Sequence, residues 1–241
     1  MTIGDALSFV FDDEEWLNRL LIGALISIIP IFGGFAVTGY AIAVLRNVEA
    51  GSSRPLPRWD GLGEFFVDGL FYWIATLVYS IPLFVVMVPI ALVAVLPAIS
   101  ADNQDLTTVL SGVAVVVSAG LGCLAFVYGL FLWIITPVLQ IRYAKTGQLG
   151  ACFHIGEVFR FLTGHIGALV LAQLATWAAG LVASAVVGGI VSVLSLIPIC
   201  GWIVAAILGL AMIPMGFWLL LFSAHLYGQI ARETEPATLI V

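Results

Sequence analysis

The sequence predicts an all-α integral membrane protein with six membrane segments, arranged as three pseudo-repeated helical hairpins. Apolar residues make up 62 % of the 241 residues and charged residues only 9 %, whereas a soluble domain carries about 25 % charged residues. Several uncharged stretches exceed the roughly 20 residues that a membrane helix needs. A short phrase also recurs three times, each time before an apolar stretch. We therefore interpret residues 1–241 as a single polytopic membrane domain.

The recurring phrase consists of an apolar residue, a glycine and an acidic residue, followed by an aromatic-rich amphipathic stretch. Its three copies are Ile3-Gly4-Asp5, Leu62-Gly63-Glu64 and Ile155-Gly156-Glu157. Amphipathic helices with aromatic side chains lie in the membrane interface, so we predict a short interfacial helix before each hairpin. The predicted pseudo-repeats cover about residues 3–51, 62–147 and 155–232.

The first apolar run, residues 20–45, has two interpretations. It is either one kinked span or two short helices, about 17–29 and 34–47. The likeness of its proline- and glycine-containing tip, 28–34, to the turn at 196–202 favours two helices. Each half rises only about 20 Å, less than the roughly 30 Å of the hydrocarbon core. This hairpin is therefore short enough to be re-entrant or to thin the bilayer.

The second and third hairpins follow from longer apolar runs. Residues 69–101 and 106–141 supply the two helices of the second hairpin. The run 161–231 is too long for one span, and Pro198 and Gly201 interrupt it. The helices predicted there are about 165–197 and 201–230.

Basic residues fall on one side of this predicted topology. Under three hairpins, that side receives the N-terminal segment, the loops 48–68 and 142–164, and the C-terminal tail. The eight basic residues are Arg19, Arg46, Arg54, Arg58, Arg142, Lys145, Arg160 and Arg232. Because basic residues mark the cytoplasmic side, we predict a multi-pass protein of the cell membrane with both termini cytoplasmic. A single first span would move only Arg19, so charge does not decide between the two interpretations of that run.

Composition also excludes several functions. The net charge of −6 leaves no basic face for a nucleic-acid partner. No charged residue lies deep in a predicted span, where an ion-coupled pump would normally bury one. Nucleophile–base pairs, phosphate-cradling loops and a His-Glu-x-x-His motif are missing from the sequence. We therefore predict that the chain is not an enzyme.

Histidines are the main candidates for a cofactor site. His165 or His225 could ligate a haem or a chlorophyll, and the alternative is an interfacial histidine bonded to a carbonyl or a headgroup. Cys152 and His154, with Glu157 nearby, offer at most part of a metal site, because structural zinc takes four ligands in clustered pairs. We therefore predict no metal and no cofactor.

The loop Arg54-Pro55-Leu56-Pro57-Arg58-Trp59 is the most distinctive connection in the chain. Two prolines hold it extended, and two arginines flank them. Arg54, Arg58 and Trp59 are therefore candidates for contact with lipid phosphate or a partner peptide. The alternative is a stiff connector that places Trp59 at the membrane interface.

Three small residues, Gly180, Ser184 and Gly188, recur every four positions in an apolar run. Small residues let membrane helices approach closely. We predict a tight helix contact along this stripe, either within one chain or between subunits.

Several motifs together resemble a known family. They are Phe11-Asp12-Asp13-Glu14-Glu15-Trp16, the tip Ile29-Pro30, Leu45-Arg46-Asn47-Val48 and Pro55-Leu56-Pro57-Arg58-Trp59-Asp60. The chain resembles an uncharacterised prokaryotic membrane-protein family, domain of unknown function 4013. The resemblance covers most of the chain, and its motifs lie in the first sixty or so residues. It implies a membrane topology and supplies no substrate or catalytic residue.

Three functions remain open at the level of sequence. We expect a non-enzymatic membrane scaffold or accessory subunit that packs against lipids, other membrane-protein subunits or copies of itself. The alternative is a transporter or channel for a neutral or lipid-like substrate. A third possibility is a cofactor-holding subunit of a photosynthetic or respiratory complex.

Overall fold

A computed structural model of the chain describes residues 2–100, 102–197 and 200–234. Every regular element in these ranges is helical, which confirms the predicted all-α class. The α-helices are α1 (Ile3–Ser8), α2 (Trp16–Ser27), α3 (Phe32–Glu49), α4 (Leu62–Ile99), α5 (Gln104–Thr146), α6 (Ile155–Leu194), α7 (Cys200–Leu210) and α8 (Met212–Glu233). Short 3-10 helices cover Trp59–Gly61 and Leu149–Phe153.

Four helical stretches in the described part of the chain are long and apolar enough to cross a membrane. They are Trp59–Ile99, Gln104–Thr146, Ile155–Leu194 and Gly201–Glu233. Helices α4 and α5 contain 38 and 43 residues, or about 57 and 65 Å at 1.5 Å per residue. Both exceed the roughly 30 Å hydrocarbon core of a bilayer. Apolar helices of this length indicate insertion into a membrane.

The first apolar run forms two helices, α2 and α3, as the likeness of the two tips predicts. The turn between them places Ile31 at φ 65°, a left-handed conformation that β-branched residues rarely adopt. Directly after it, Gly33 approaches the preceding helix so closely that a Cβ would lie 3.0 Å from the carbonyl carbon of Ile26. The missing side chain therefore makes this tight turn possible.

The turn after α6 repeats that local geometry. A Cβ on Gly201 would lie 3.1 Å from the carbonyl carbon of Leu194, seven residues earlier, just as Gly33 meets Ile26. In each turn the amide three residues after that carbonyl donates to it at 3.0 Å. Pro198, on which the predicted tip also rests, lies outside the described residues. The three-repeat arrangement as a whole stays a prediction.

The predicted interfacial helices differ from one copy of the phrase to the next. α1 is a separate helix, and the third copy is set off by a kink at His165 (φ −128°, ψ 16°) inside α6. The second copy is continuous with α4, so the prediction of a separate helix there is wrong. No glycine–proline pair follows Leu62 for two turns, and helix formation propagates readily once it has begun.

The predicted helix over 201–230 is also interrupted. A turn at Ala211 separates α7 from α8. Pro214, in the first turn of α8, has no N–H with which to bond the carbonyl four residues earlier, so the helix cannot run through unbroken.

The chain divides into two compact units. The first comprises Met1–Trp73 and Pro137–Val241, and the second comprises Ile74–Thr136. In the first unit α3 is the central helix, packed against α2, the start of α4, and α8. Its largest fully buried side chains include Tyr40, Leu45, Leu139, Leu221 and Ile230.

Within the first unit, two glycines bring the backbones of α3 and α4 into contact. A Cβ on Gly69 would lie 2.7 Å from the carbonyl carbon of Phe35 and 3.0 Å from the backbone nitrogen of Gly39. The indole of Trp73 donates to the Thr38 hydroxyl at 3.3 Å beside this crossing. Small residues at a helix crossing allow such close packing in membranes.

The second unit is a helical hairpin with an apolar surface. Its large side chains are mostly exposed, including Val85, Leu92 and Val116, each at least two-thirds accessible. Within the unit the Tyr128 hydroxyl donates to the carbonyl of Tyr79 at 2.8 Å. Such a surface is suited to lipid or to another apolar helix rather than to water.

Candidate functional site

A polar cleft of about 570 Å³ lies between the last turns of α8 and the start of the chain. His225, Gln229 and Arg232, spaced by four and three residues, present one polar face of α8 to it. The complete lining is Thr2, Asp5, Val48, Gly51, Ser52, His225, Gln229, Arg232 and Glu233. All of these residues belong to the first unit.

Gln229 clasps the N-terminal segment to α8. Its Oε1 accepts from the backbone N–H of Thr2 at 2.7 Å, and its Nε2 donates to the Thr2 carbonyl at 3.1 Å. These two bonds fix the orientation of the amide. The second hydrogen on Nε2 then points to Nδ1 of His225, 3.1 Å away. Neutral His225 therefore accepts at Nδ1 and carries its proton on Nε2.

His225 is 9 % exposed and its ring stacks on Phe9, with ring centroids 4.3 Å apart. Its Nδ1 lone pair is used by Gln229, so binding a haem or chlorophyll would require the other tautomer. His165, at the kink in α6, places Nδ1 3.1 Å from the carbonyl of Phe161. Both histidines thus match the hydrogen-bonded alternative. The described residues hold no group of three or more His, Cys, Asp or Glu that could bind a metal ion.

The cleft carries charges of both signs. Asp5 accepts from the Thr2 hydroxyl at 2.5 Å through Oδ2. The exposed Arg232 makes no ion pair with any described residue, and its guanidinium carbon would lie 3.3 Å from a Cβ on Gly51. Gly51 has a φ of 73°, which lets the chain turn closely around this guanidinium. With Glu233, the cleft contains one guanidinium and two carboxylates.

An apolar groove of about 520 Å³ flanks the same N-terminal helix on its other side. Ile3 and Leu7 of α1 face Trp218 and Phe222 of α8 across it. Its floor on α6 is made of small residues, namely Ala175, Ala178, Ala179, Val182 and Ala183. The buried indole nitrogen of Trp218 has no hydrogen-bond acceptor in the described structure. α1 therefore separates a polar cleft from an apolar groove.

Comparison with known families identifies the chain. A family model described as "Protein of unknown function (DUF4013)" matches residues 22–197, well over half of the chain. The chain belongs to the DUF4013 family. This confirms the resemblance carried by the sequence motifs. Comparisons with curated proteins and with solved structures find no match.

In this DUF4013 chain, ion pairs join helix ends in the first unit. Arg46 of α3 binds Asp68 of α4 at 2.5 Å, and the Tyr143 hydroxyl of α5 donates to the same carboxylate at 2.8 Å. Lys145 binds Glu49 at 3.2 Å and also donates to carbonyl and hydroxyl oxygens at the end of α8. Asp68 thus bridges three helices, a role that its place in the sequence does not reveal.

The distinctive proline loop is held in place by its own carbonyls. Pro55 accepts from Asn47 at 2.9 Å and Pro57 accepts from Tyr40 at 2.8 Å. The carbonyl of Leu56 accepts from Arg19 at 2.5 Å. Three successive residues are thereby fixed against α2 and α3, which favours the stiff-connector interpretation.

The three candidate contact residues of this loop have different surroundings. Trp59 stacks on Tyr40, with ring centroids 4.1 Å apart, and its indole donates to the Arg19 carbonyl at 3.0 Å. Its ring is thus packed within the chain and does not project as a lipid contact. Arg54 pairs with Glu14 at 3.0 Å. Arg58 is exposed and has no ion pair among the described residues, so it alone keeps the predicted docking role.

The small-residue stripe makes no close contact within the chain. A Cβ on Gly180 would meet Leu219 at an ordinary 3.5 Å, and one on Gly188 would meet nothing within 4 Å. Ser184 is exposed. The close glycine crossing occurs at Gly39 and Gly69 instead. For the stripe, only the prediction of a contact between subunits remains.

Proposed function

We propose that this DUF4013 protein is a non-enzymatic membrane scaffold or accessory subunit that packs against lipids, other membrane proteins or copies of itself. The supporting observation is the contrast between its surface and its charges. The long helices carry exposed large apolar side chains, such as Trp177 and Trp202 at 61 % and 60 %. Five of the eight basic residues are spent on ion pairs within the chain: Arg19, Arg46, Arg54, Arg142 and Lys145.

The proposed topology has six membrane segments in the cell membrane and both termini in the cytoplasm. The clasp between Thr2 and Gln229 supports a shared side, because it joins the two described ends of the chain. Single-cysteine labelling from outside intact cells would test it. We expect labelling at position 103, in the α4–α5 loop, and protection at position 2. External labelling at position 2 would refute the topology.

Association can be tested by co-expressing a tagged and an untagged copy and measuring the mass of the purified assembly in mild detergent. We expect an assembly heavier than the 25.6 kDa chain, held by copies of the chain or by a second membrane protein at fixed stoichiometry. A single chain in both detergent and native nanodiscs would overturn the proposal.

Ser184→Leu tests whether the stripe is the contact between subunits. Because Ser184 is exposed in the single chain, the substitution should leave thermal stability of the monomer unchanged while it splits the assembly. Ala185→Leu, an exposed neighbour outside the four-residue spacing, is the matched control. An assembly that survives Ser184→Leu would place the contact elsewhere.

A transporter or channel for a lipid-like substrate is the second candidate. The observation that favours it is the pairing of a polar cleft with an apolar groove beside α1. Reconstituted vesicles with a fluorescent headgroup-labelled lipid would test it. Faster loss of inner-leaflet fluorescence to an external quencher, dependent on this chain, is the expected result. A rate equal to that of empty vesicles would remove this candidate.

A further inference from the structure

We propose that the cleft and the groove together bind one membrane phospholipid whose headgroup carries both a phosphate and an ammonium group. The headgroup occupies the cleft between α1 and α8, and one acyl chain occupies the groove between α1, α6 and α8. The proposal rests on the proposed function as a lipid-packing membrane protein and names the lipid class that it holds.

Two donors in the cleft suit a phosphate. Arg232 has no ion pair within the described chain, and a guanidinium binds phosphate oxygens through paired hydrogen bonds. His225 lines the same cleft, and its clasp with Gln229 leaves the proton on Nε2, for which the described residues offer no acceptor. His225 is more than nine-tenths buried, so an unpaired donor there favours a bound oxygen.

The acids in the cleft select the rest of the headgroup. Asp5 and Glu233 line it together with Arg232, so its formal charge is negative when His225 is neutral. A headgroup with phosphate alone would be repelled by the excess carboxylate. A headgroup that adds an ammonium group complements both signs, with its phosphate toward Arg232 and its ammonium toward Asp5.

The groove suits an acyl chain and lies at the corresponding depth. Trp218 and Phe222 precede the polar face of α8, and Phe222 is seven residues, or about 10 Å, before Gln229. The groove is therefore further from the helix end than the cleft, as an acyl chain is deeper than its headgroup. The alanines on α6 leave space that a longer side chain would fill.

A lipid that bridges both sides of α1 also accounts for the attachment of this helix. α1 has only six residues, too few to be stable alone. Ala6 and Val10 bury one face against the protein, and the clasp to Gln229 holds the N-terminal end. The polar side at Asp5 and the apolar side at Leu7 are left for the headgroup and the acyl chain.

The test measures lipid retained by the full-length chain after delipidation in detergent. Phosphatidylethanolamine or phosphatidylglycerol with identical acyl chains is added, and bound lipid is counted by native mass spectrometry alongside the shift in Tm. We expect the ethanolamine lipid to bind better. Arg232→Gln should weaken it about tenfold or more, the equivalent of one charge-assisted hydrogen bond. Asp5→Asn should abolish the preference between the two lipids.

Matched variants separate the two parts of the site. Arg160→Gln removes another exposed arginine that has no ion pair in the described chain, and it should change nothing. Ala179→Phe fills the groove and should abolish retention of the lipid. Ala185→Phe, on the same helix but outside the groove, should not.

Three outcomes would overturn the inference. The first is equal retention by wild type, Arg232→Gln and Ala179→Phe, and the second is preference for phosphatidylglycerol. The third is a Tm shift with soluble phosphoethanolamine as large as with the lipid, since this would leave no role for the groove. Because lipid retention is the readout, these failures would leave the subunit-association test of the proposed function unaffected.

Discussion

Gly69→Ala probes the contact that fixes α4 against α3. A Cβ at this position would lie 2.7 Å from the carbonyl carbon of Phe35 and 3.0 Å from the backbone nitrogen of Gly39. Carbon atoms pack at about 3.5–4.0 Å, so the helices must separate by at least about 0.8 Å. Both obstacles are backbone atoms, so no side-chain rotation relieves the overlap. We expect an overpacking cost of about 1–3 kcal/mol.

Gly63→Ala in the same helix is the matched control. A Cβ on Gly63 would meet nothing within 4 Å. Alanine favours helix over glycine by about 1 kcal/mol at either position, so this gain cancels in the comparison. The difference in free energy of unfolding between the two variants isolates the overpacking cost.

The assay is unfolding in mixed micelles, followed by loss of helical circular dichroism as the fraction of denaturing detergent rises. Gly63→Ala should match or exceed wild type, and Gly69→Ala should unfold earlier. The separated helices should also lose the hydrogen bond from Trp73 to Thr38, which changes the tryptophan fluorescence. Equal stability of the two variants would refute the close crossing.

Three further predictions concern single side chains. Ile31→Gly should raise the free energy of unfolding by about 1 kcal/mol, because glycine adopts the left-handed turn without strain; an unchanged or lower value would contradict this. Asp68→Asn should cost about 1–3 kcal/mol by uncharging the carboxylate that Arg46 and Tyr143 share, and unfolding curves identical to wild type would count against the three-helix bridge. Burial raises the pKa of Cys152 to about 11 from its usual 9. The unfolded thiol therefore ionises first, and stability present below pH 9 should fall by about 2–3 kcal/mol as the pH rises to 11. Cys152→Ala should lose this part of the pH dependence, and a slope that persists in the variant would assign it to other groups.

The candidate site was only partly predictable from the sequence. His225 stood out as a polar residue in an apolar segment, and the structure places it in the cleft. Its neighbours on the same face, Gln229 and Arg232, share a helical spacing that could have identified them. Thr2 and Asp5 could not be found in this way, because they are more than two hundred residues away in the chain.

The choice among glycines shows the same limit. The chain has 25 glycines, and the regular spacing of Gly180, Ser184 and Gly188 drew the prediction of a close contact. Within the chain the close crossing is at Gly39 and Gly69, which lie on different helices. Spacing within one helix states which residues share a face, but it does not state which face meets another helix.

Local chemistry determined the class of the protein. Long uncharged runs fix helices and membrane character, because a lipid environment requires backbone groups to bond within the segment. Pro30 and Gly33 fix the first turn, since each acts on its own backbone and its immediate neighbours. These features, together with the family motifs, were available from the sequence alone.

Only the tertiary structure decided which polar groups meet. Asp68 bridges Arg46 and Tyr143, and Gln229 binds the backbone of Thr2, through contacts that depend on the rotation and register of separate helices. An amino-acid sequence specifies a helix face but leaves the rotation of that face to the packing of all the neighbours at once. The cleft, the groove and the division between them by α1 arise at that level.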